Sequence, residues 1–155
     1  MIRLQMEDVF PLYLEGLWEL LHAHMDEGRL PEIHPSVLRG RLVREGGTVE
    51  YMGRTFPREK VVERAYRIRG RSVKTTWNYR IEPPDRYAYE VTLQNGSIIR
   101  FENRYARAAE GTLVKTTVEI SLKWIPSFIA RWVVRRSLDR SDREDLVYAR
   151  RQTGS

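Results

Sequence analysis

The sequence predicts an α+β fold in which an antiparallel sheet of six to eight strands packs its apolar face against one long C-terminal helix. Two observations carry this prediction. Between residues 61 and 124 the chain alternates apolar and polar residues in segment after segment, the period of strands with one covered face. Over residues 125–152 the apolar residues instead recur at helical spacing. A long helix that follows a meander needs an apolar partner, and the sheet provides one.

The N-terminal part of the chain predicts one strand and two short helices. Residues 2–7 alternate apolar and polar side chains, which indicates a first strand. Over 11–24 the period lengthens, and one helical face is formed by Leu14, Leu17, Trp18 and Leu21. Gly28 and Pro31 interrupt this pattern, so residues 25–35 are predicted to form a second short helix and a turn.

A long meander follows. Residues 37–45 are predicted to form a strand closed by a turn at Gly46-Gly47, whereas the strand boundaries within 46–61 stay open. The later strands are separated by four turn signals: Gly70, Pro83-Pro84-Asp85, Asn95-Gly96 and Glu110-Gly111. The last strand is predicted to run to Trp124. The regular alternation in these strands predicts that one face of the sheet is exposed to solvent and the other is covered.

The C-terminal helix is predicted to place one apolar stripe against the sheet. The stripe consists of Ile125, Phe128, Ile129, Trp132 and Val133, with Leu146 and Val147 returning to it. Arg136, Asp139 and Arg143 continue this face and admit three interpretations. In order of preference, these are an Asp139–Arg143 pair, a helix break at the capping box 141–144, and arginines that hold a ligand anion at a pocket entrance.

Composition sets the broad class. The 155 residues predict a single domain spanning 1–155, and no segment is apolar enough to cross a bilayer, so the protein is not expected to be an integral membrane protein. The absence of cysteine excludes disulfides and thiolate chemistry, and the default location is cytoplasmic.

The net charge is +6, yet the arginines alternate with acidic residues, which favours an ion-paired surface over a specific nucleic-acid site. Transient membrane contact stays open.

The order of these elements resembles the helix-grip fold of the START-like (SRPBCC) superfamily, which includes polyketide cyclase/dehydrase-like proteins. The resemblance spans almost the whole chain and rests on segments 17–21, 33–35 and 81–87, on Gly111-Thr112, and on the helix over 126–148. The resemblance implies a strongly curved sheet that wraps around the long C-terminal helix and leaves a cavity between them for an apolar or amphipathic ligand. A strongly bent sheet also leaves space that one helix cannot fill unless large side chains occupy it.

The expected ligand contacts combine aromatic rings, one amide and apolar residues of the last strand and helix. Aromatic rings with polar tips suit a pocket that holds an apolar body and hydrogen-bonds one end of it. Arg64 is a further polar residue predicted to face inward. The predicted contact residues are Tyr66, Trp77, Tyr79, Tyr87, Tyr89, Phe101, Asn103, Tyr105, Val118, Ile120, Phe128, Ile129 and Trp132.

A group of histidines raises the question of a metal site. His22, His24, Asp26 and His34 are close in sequence, but on a helix His24 points away from His22 and Asp26. Zinc needs three or four convergent ligands, so solvated histidines at helix ends are the favoured interpretation. No metal and no cofactor is therefore predicted.

Three functions are consistent with the sequence. The leading hypothesis is binding of a hydrophobic or amphipathic small molecule, such as a lipid, isoprenoid, quinone or polyketide-like compound. The alternative is a cyclase, aromatase or dehydratase that uses the same cavity, although no catalytic residue can be assigned. The third is an interaction module that uses the arginine-rich outer face.

Overall fold

The computed structural model describes residues 1–123 and 126–152 and shows seven strands and three helices in that part of the chain. Trp124 and Ile125, assigned above to the last strand and to the helical stripe, lie outside the described residues. The elements are β1 (Ile2–Phe10), α1 (Leu14–Ala23), α2 (Leu30–Ile33), β2 (Val37–Tyr51), β3 (Arg54–Ile68), β4 (Arg71–Glu82), β5 (Arg86–Leu93), β6 (Ile98–Ala108), β7 (Gly111–Ser121) and α3 (Ser127–Gln152). The predicted fold class is confirmed.

All seven strands belong to one antiparallel sheet in the order β1-β7-β6-β5-β4-β3-β2. From β2 to β7 each strand pairs with its neighbour in the chain, as hairpin turns require. β1 instead pairs with β7, with Ile2 opposite Ile120 and Phe10 opposite Thr112. The turn signals at residues 70, 83–85, 95–96 and 110–111 all lie at or next to the ends of observed strands, so these four turn predictions are confirmed.

The predicted turn at Gly46-Gly47 is wrong. β2 runs through both glycines to Tyr51, and the chain reverses at Met52-Gly53, which have φ angles of 54° and 70°. Two consecutive positive φ angles fit a tight hairpin whose twist matches that of the strands. Two glycines permit a turn without requiring one, and here the strand continues because Val49 and Tyr51 pack against the core below α1.

The core under α3 consists of small and medium-sized side chains. Ala130 and Val134 are buried on the sheet side of the helix and pack against Val118 and Ile120, which are fully buried. Near the other end of α3, Tyr148 packs with Leu20 of α1 and Ile33 of α2. The helix therefore contacts the sheet near its start and the two short helices near its end.

The predicted orientation of α3 is wrong. Phe128 and Trp132 are 73% and 60% exposed, and Ile129 and Val133 are also exposed. At 3.6 residues per turn, Phe128 and Trp132 lie about 200° from Ala130 and Val134, so they project from the opposite side of the helix. The helix approaches β1 and β7 with its small residues, and the large apolar residues form an exposed stripe.

The second interpretation of the charged residues, a break within α3, is wrong, because the helix is continuous from residue 127 to residue 152. The guanidinium of Arg136 lies 5.1 Å from the centre of the Trp132 ring, a cation–π contact on the exposed side.

Within the described residues, no helix combines the length and the apolar character that crossing a bilayer requires.

Candidate functional site

The concave face of the sheet carries a continuous row of aromatic rings. Its members are Tyr66 of β3, Trp77 of β4, Tyr89 of β5 and Phe101 of β6. The strand register places Tyr89 directly opposite Phe101, whereas the other neighbours in the row meet diagonally across the strands. The ring centres of Tyr66 and Trp77 are 5.9 Å apart, those of Trp77 and Tyr89 are 5.3 Å apart, and those of Tyr89 and Phe101 are 4.7 Å apart, all stacked. All four side chains are only partly buried, so protein atoms do not cover the row completely.

Other predicted contact residues are packed more tightly. Tyr79 and Tyr87 are buried and belong to the core around Trp18, whose ring lies 6.3 Å from that of Tyr87. Val118 and Ile120 are fully buried below α3. The concave face is thus filled beside α1 and beneath the first turns of α3, and its aromatic row is the more accessible part.

Asn103 lies on the same inner face, and its amide is held in place. Its Nδ2 donates to the backbone oxygen of Tyr87 at 3.3 Å, and the Thr116 hydroxyl donates to its Oδ1 at 2.8 Å. Tyr105, two residues further along β6, is half-buried. Both polar side chains therefore line the concave face, and hydrogen bonds fix the amide of Asn103.

The phenols on this face stay protonated at neutral pH. Burial is the largest cause of the raised pKa values of Tyr79, Tyr87 and Tyr89. Burial also raises the pKa of Tyr105, and the negative charge of Asp145 raises it further. These hydroxyls can therefore donate hydrogen bonds to a ligand oxygen, whereas they are poor general bases.

A cluster of buried charged residues contacts the aromatic row. Arg64 donates to both carboxylate oxygens of Glu27, from Nη2 at 2.7 Å and from Nε at 3.0 Å, and Lys60 Nζ donates to the same carboxylate at 3.1 Å. Arg64 also donates to the Tyr79 hydroxyl, and its guanidinium lies 4.9 Å from the centre of the Trp77 ring. The cluster holds two cations and one anion, so it carries a net positive charge directly beside the rings.

The sequence indicated only part of this cluster. Arg64 was predicted to face inward, and Lys60 shares its strand face at period two, which is a signal that could have been used. Glu27 gave no such signal, because it lies in the connection between α1 and α2, where no period applies.

A second polar cluster lies where α1, α2 and α3 meet. His24 follows α1, His34 follows α2, and Asp145 lies on the buried side of α3. His24 Nε2 is 3.1 Å from His34 Nε2 and 3.1 Å from Asp145 Oδ1, and His34 Nε2 is 3.0 Å from the same oxygen. Burial would raise the pKa of Asp145, but the two histidines outweigh it and hold that pKa well below its usual range.

These are not the residues that the sequence grouped together. The His22 ring packs edge-on against Phe56, and Asp26 Oδ1 accepts a hydrogen bond from the Gly28 amide, so neither joins His24 and His34. Asp145 was missed because the helical stripe was assigned to the wrong face. A stripe drawn through Ala130, Val134 and Leu138 would have reached it.

The outer face of the sheet holds a shallow groove of about 480 Å³ lined by arginine and glutamate. Arg100 Nε lies 2.6 Å from Glu90 Oε2, and Arg86 Nη2 lies 3.0 Å from Glu102 Oε2. At least two of the four arginines that line the groove are therefore paired with acidic neighbours, which favours an ion-paired surface over a site for a polyanion.

Comparison with known proteins establishes the fold class. No family model and no curated protein matches this sequence. Among solved structures, Ara h 8.0201 is 15% identical over 96% of this chain and 97% of its own, with a TM-score of 0.72. The Zhui aromatase/cyclase from Streptomyces sp. R1128 is 15% identical over 98% of this chain and 95% of its own, with a TM-score of 0.69. An AHSA1-like protein from Aeromonas hydrophila is 14% identical over 95% and 94%, with a TM-score of 0.60.

These similarities, together with the sheet order and the terminal helix, show that the chain has the same helix-grip α+β fold as these proteins.

Proposed function

We propose that this protein binds a hydrophobic or amphipathic small molecule, of the lipid, isoprenoid, quinone or polyketide-like class, on the concave face of its sheet. The observation that carries the proposal is the row formed by Tyr66, Trp77, Tyr89 and Phe101, which is stacked in order yet only partly buried. Exposed aromatic surface is costly unless something covers it, and a flat or elongated apolar molecule fits such a row.

The polar groups beside the row favour an amphipathic ligand. Arg64 of β3 contributes to a net positive charge next to Trp77, and Asn103 and Tyr105 add hydrogen-bonding groups on β6. The protonated phenols can donate to a carbonyl or carboxylate oxygen. The proposed contact residues are Tyr66, Trp77, Tyr89, Phe101, Asn103 and Tyr105, with Tyr79, Tyr87, Val118 and Ile120 forming the floor. Phe128, Ile129 and Trp132 are not included because they are exposed away from the sheet.

Two tryptophans provide a matched test of this proposal. We expect native mass spectrometry of freshly purified protein to detect a co-purified small molecule, and 1-anilinonaphthalene-8-sulfonate to bind saturably and to be displaced by a fatty acid. Trp77→Ala should weaken this binding about tenfold or more, because it removes the centre of the row. Trp132→Ala removes the same side chain from the exposed side of α3 and should leave binding unchanged.

A variant that adds volume to the row distinguishes loss of the binding surface from loss of the fold. Phe101→Trp adds volume on the concave face while keeping an aromatic ring in the row, so it should reduce probe binding while circular dichroism still shows folded protein. The proposal fails if no apolar probe binds a folded sample saturably, or if Trp77→Ala and Trp132→Ala affect binding equally.

The second candidate function is a cyclase, aromatase or dehydratase reaction in the same cavity. Protonated phenols and a fixed Asn103 amide could orient a polyketone chain and donate hydrogen bonds to its carbonyl oxygens. The similarity to the Zhui aromatase/cyclase supports this option. Turnover of a polyketide-like substrate that is lost in Tyr89→Phe or Asn103→Ala would support catalysis, and binding without turnover would support the first function.

A further inference from the structure

The cluster of His24, His34 and Asp145 brings three potential metal-ligand atoms to one point. The two Nε2 atoms and Asp145 Oδ1 form a nearly equilateral triangle with sides of 3.1, 3.1 and 3.0 Å. Atoms bound about 2.1 Å from a single ion at angles of 90° to 109° lie about 3.0 to 3.4 Å from one another. The three side chains therefore have the spacing of ligands that share one ion.

When both rings are neutral, their outer hydrogen bonds place the proton on Nδ1 and leave the converging Nε2 atoms without protons. His24 Nδ1 lies 2.7 Å from the Leu20 carbonyl oxygen, which can only accept, so Nδ1 carries the proton. His34 Nδ1 lies 3.3 Å from Glu144 Oε1 and donates to it in the same way. In the neutral rings both Nε2 atoms then present lone pairs to each other and to a carboxylate oxygen.

Three facing acceptors repel one another unless a cation lies among them. A proton on one Nε2 forms a hydrogen bond to one of the other two atoms, and the remaining acceptor is left without a donor. Protons on both Nε2 atoms give two imidazolium rings with their N–H groups 3.1 Å apart. One divalent ion satisfies all three atoms at once.

The outer contacts are those expected of metal-binding histidines. In metal sites the second ring nitrogen usually donates to a backbone carbonyl or a carboxylate, which fixes the tautomer and the ring orientation. Leu20 O and Glu144 fill these two roles here. The three side chains are 13%, 14% and 17% exposed, so the site is shielded but open to an ion.

We propose that His24, His34 and Asp145 bind one divalent transition-metal ion through two imidazole nitrogens and one carboxylate oxygen. This ligand set suits Zn²⁺ or Fe²⁺, because imidazole favours these ions over Mg²⁺ and Ca²⁺. Three protein ligands leave at least one coordination position for water or for an oxygen of a small molecule. The proposal does not rest on the ligand-binding function, because it concerns the ion alone.

The test uses untagged full-length protein that has been stripped with a chelator and dialysed. Titration with Zn²⁺ and, under anaerobic conditions, with Fe²⁺ should show one equivalent bound per chain by isothermal calorimetry. The melting temperature should rise by about 5 to 10 °C when the free ion is at 100 times its Kd. Co²⁺ should give visible absorption bands that indicate nitrogen and oxygen ligands.

Substitutions test whether the ion binds to His24, His34 and Asp145. Asp145→Asn and His34→Gln should each weaken binding by at least about 100-fold, and Glu144→Gln, which alters only the orienting partner of His34, by about 10- to 100-fold. His22→Gln and Asp26→Asn are matched controls from the same stretch of chain, and both should bind the ion as the unmodified protein does.

Two results would overturn the proposal. One is a folded protein that binds none of the three ions at one equivalent per chain, which would mean that protons alone hold the cluster together. The other is binding that survives in Asp145→Asn and His34→Gln, which would place the ion elsewhere. Loss of apolar-probe binding with retained ion binding would overturn only the function proposed above.

Discussion

Glu27 is a single carboxylate that holds two buried cations. Arg64 and Lys60 are 4% and 1% exposed, and both donate to Glu27. A buried pair of like charges without an acid between them would be strongly destabilising. The fold therefore depends on this loop residue, although the sequence around it predicts only a turn.

This dependence predicts an acid-sensitive contribution to stability. Burial raises the pKa of Glu27, but Arg64 and Lys60 outweigh it, so the pKa of Glu27 in the folded protein lies below the ordinary value of 4.5. The stabilisation is complete above about pH 4.5 and is lost as the pH falls through the lower folded-state pKa. Urea unfolding at pH 7, 5, 4 and 3 should show this decline.

Glu27→Gln provides the control for that decline. We expect it to lower the free energy of unfolding at pH 7 by about 3 kcal/mol, because it leaves the two cations uncompensated, and to flatten the loss between pH 5 and pH 3. Glu110→Gln changes an exposed acid in a turn and should behave like the unmodified protein. Equal acid sensitivity of both variants would contradict the role assigned to Glu27.

At the scale of elements, α3 shows how a strong sequence signal can mislead. The largest apolar residues lie at helical spacing, so they predict the buried face, yet Phe128 and Trp132 are exposed. The face that docks carries Ala130 and Val134, which are small enough for the helix to approach β1 and β7 closely, and then Asp145. Hydrophobic spacing identifies a helix but does not decide between a packed stripe and an exposed one.

Two adjacent valines test the orientation of α3. Val134 is 4% exposed and Val133 is 42% exposed. Val134→Ala should lower the free energy of unfolding by about 2 kcal/mol, because it removes buried methyl groups and leaves a cavity. Val133→Ala should change it by less than about 0.5 kcal/mol. Chemical denaturation of both variants measures the difference, and the reverse order would restore the stripe predicted from the sequence.

The β2–β3 hairpin tests the position of the corrected turn. Gly53 has a φ of 70°, so Gly53→Ala should lower the free energy of unfolding by about 1 to 2 kcal/mol even though nothing lies within 4 Å of the added methyl group. Gly46 lies inside β2 without a positive φ, and Gly46→Ala should be neutral. Thermal melting of the two variants distinguishes the hairpin found here from a turn at Gly46-Gly47.

At the scale of the whole molecule, the elements were predictable because their signals are local. Alternation and turn residues such as Asn95-Gly96 are encoded within a few positions, and they predicted the later meander and its turns. The convergence of His24 and His34 with Asp145 joins the first and last parts of the chain, and no local pattern records it. The predicted ligand contacts stay predictions, although strand alternation correctly placed the aromatic rings of β3 to β6 on one face of the sheet.

The ion pairs between arginine and glutamate on the outer face of the sheet predict weak binding to nucleic acid despite the net charge of +6. Fluorescence anisotropy with a random-sequence duplex at physiological salt should give a Kd no tighter than about 10⁻⁶ M, the range of non-specific contacts. A much tighter complex with a steep salt dependence would instead support the interaction-module hypothesis.

The pairing of β1 with β7 has a consequence for the nascent chain. Strands β2 to β6 can form hairpins as they leave the ribosome, because each partner is the next segment to emerge. The first strand must wait until Gly111–Ser121 has been made, and α3 follows later still. Until then the edge of β6 and the aromatic row are uncovered, so stalled or truncated chains are expected to depend on chaperones and to aggregate without them.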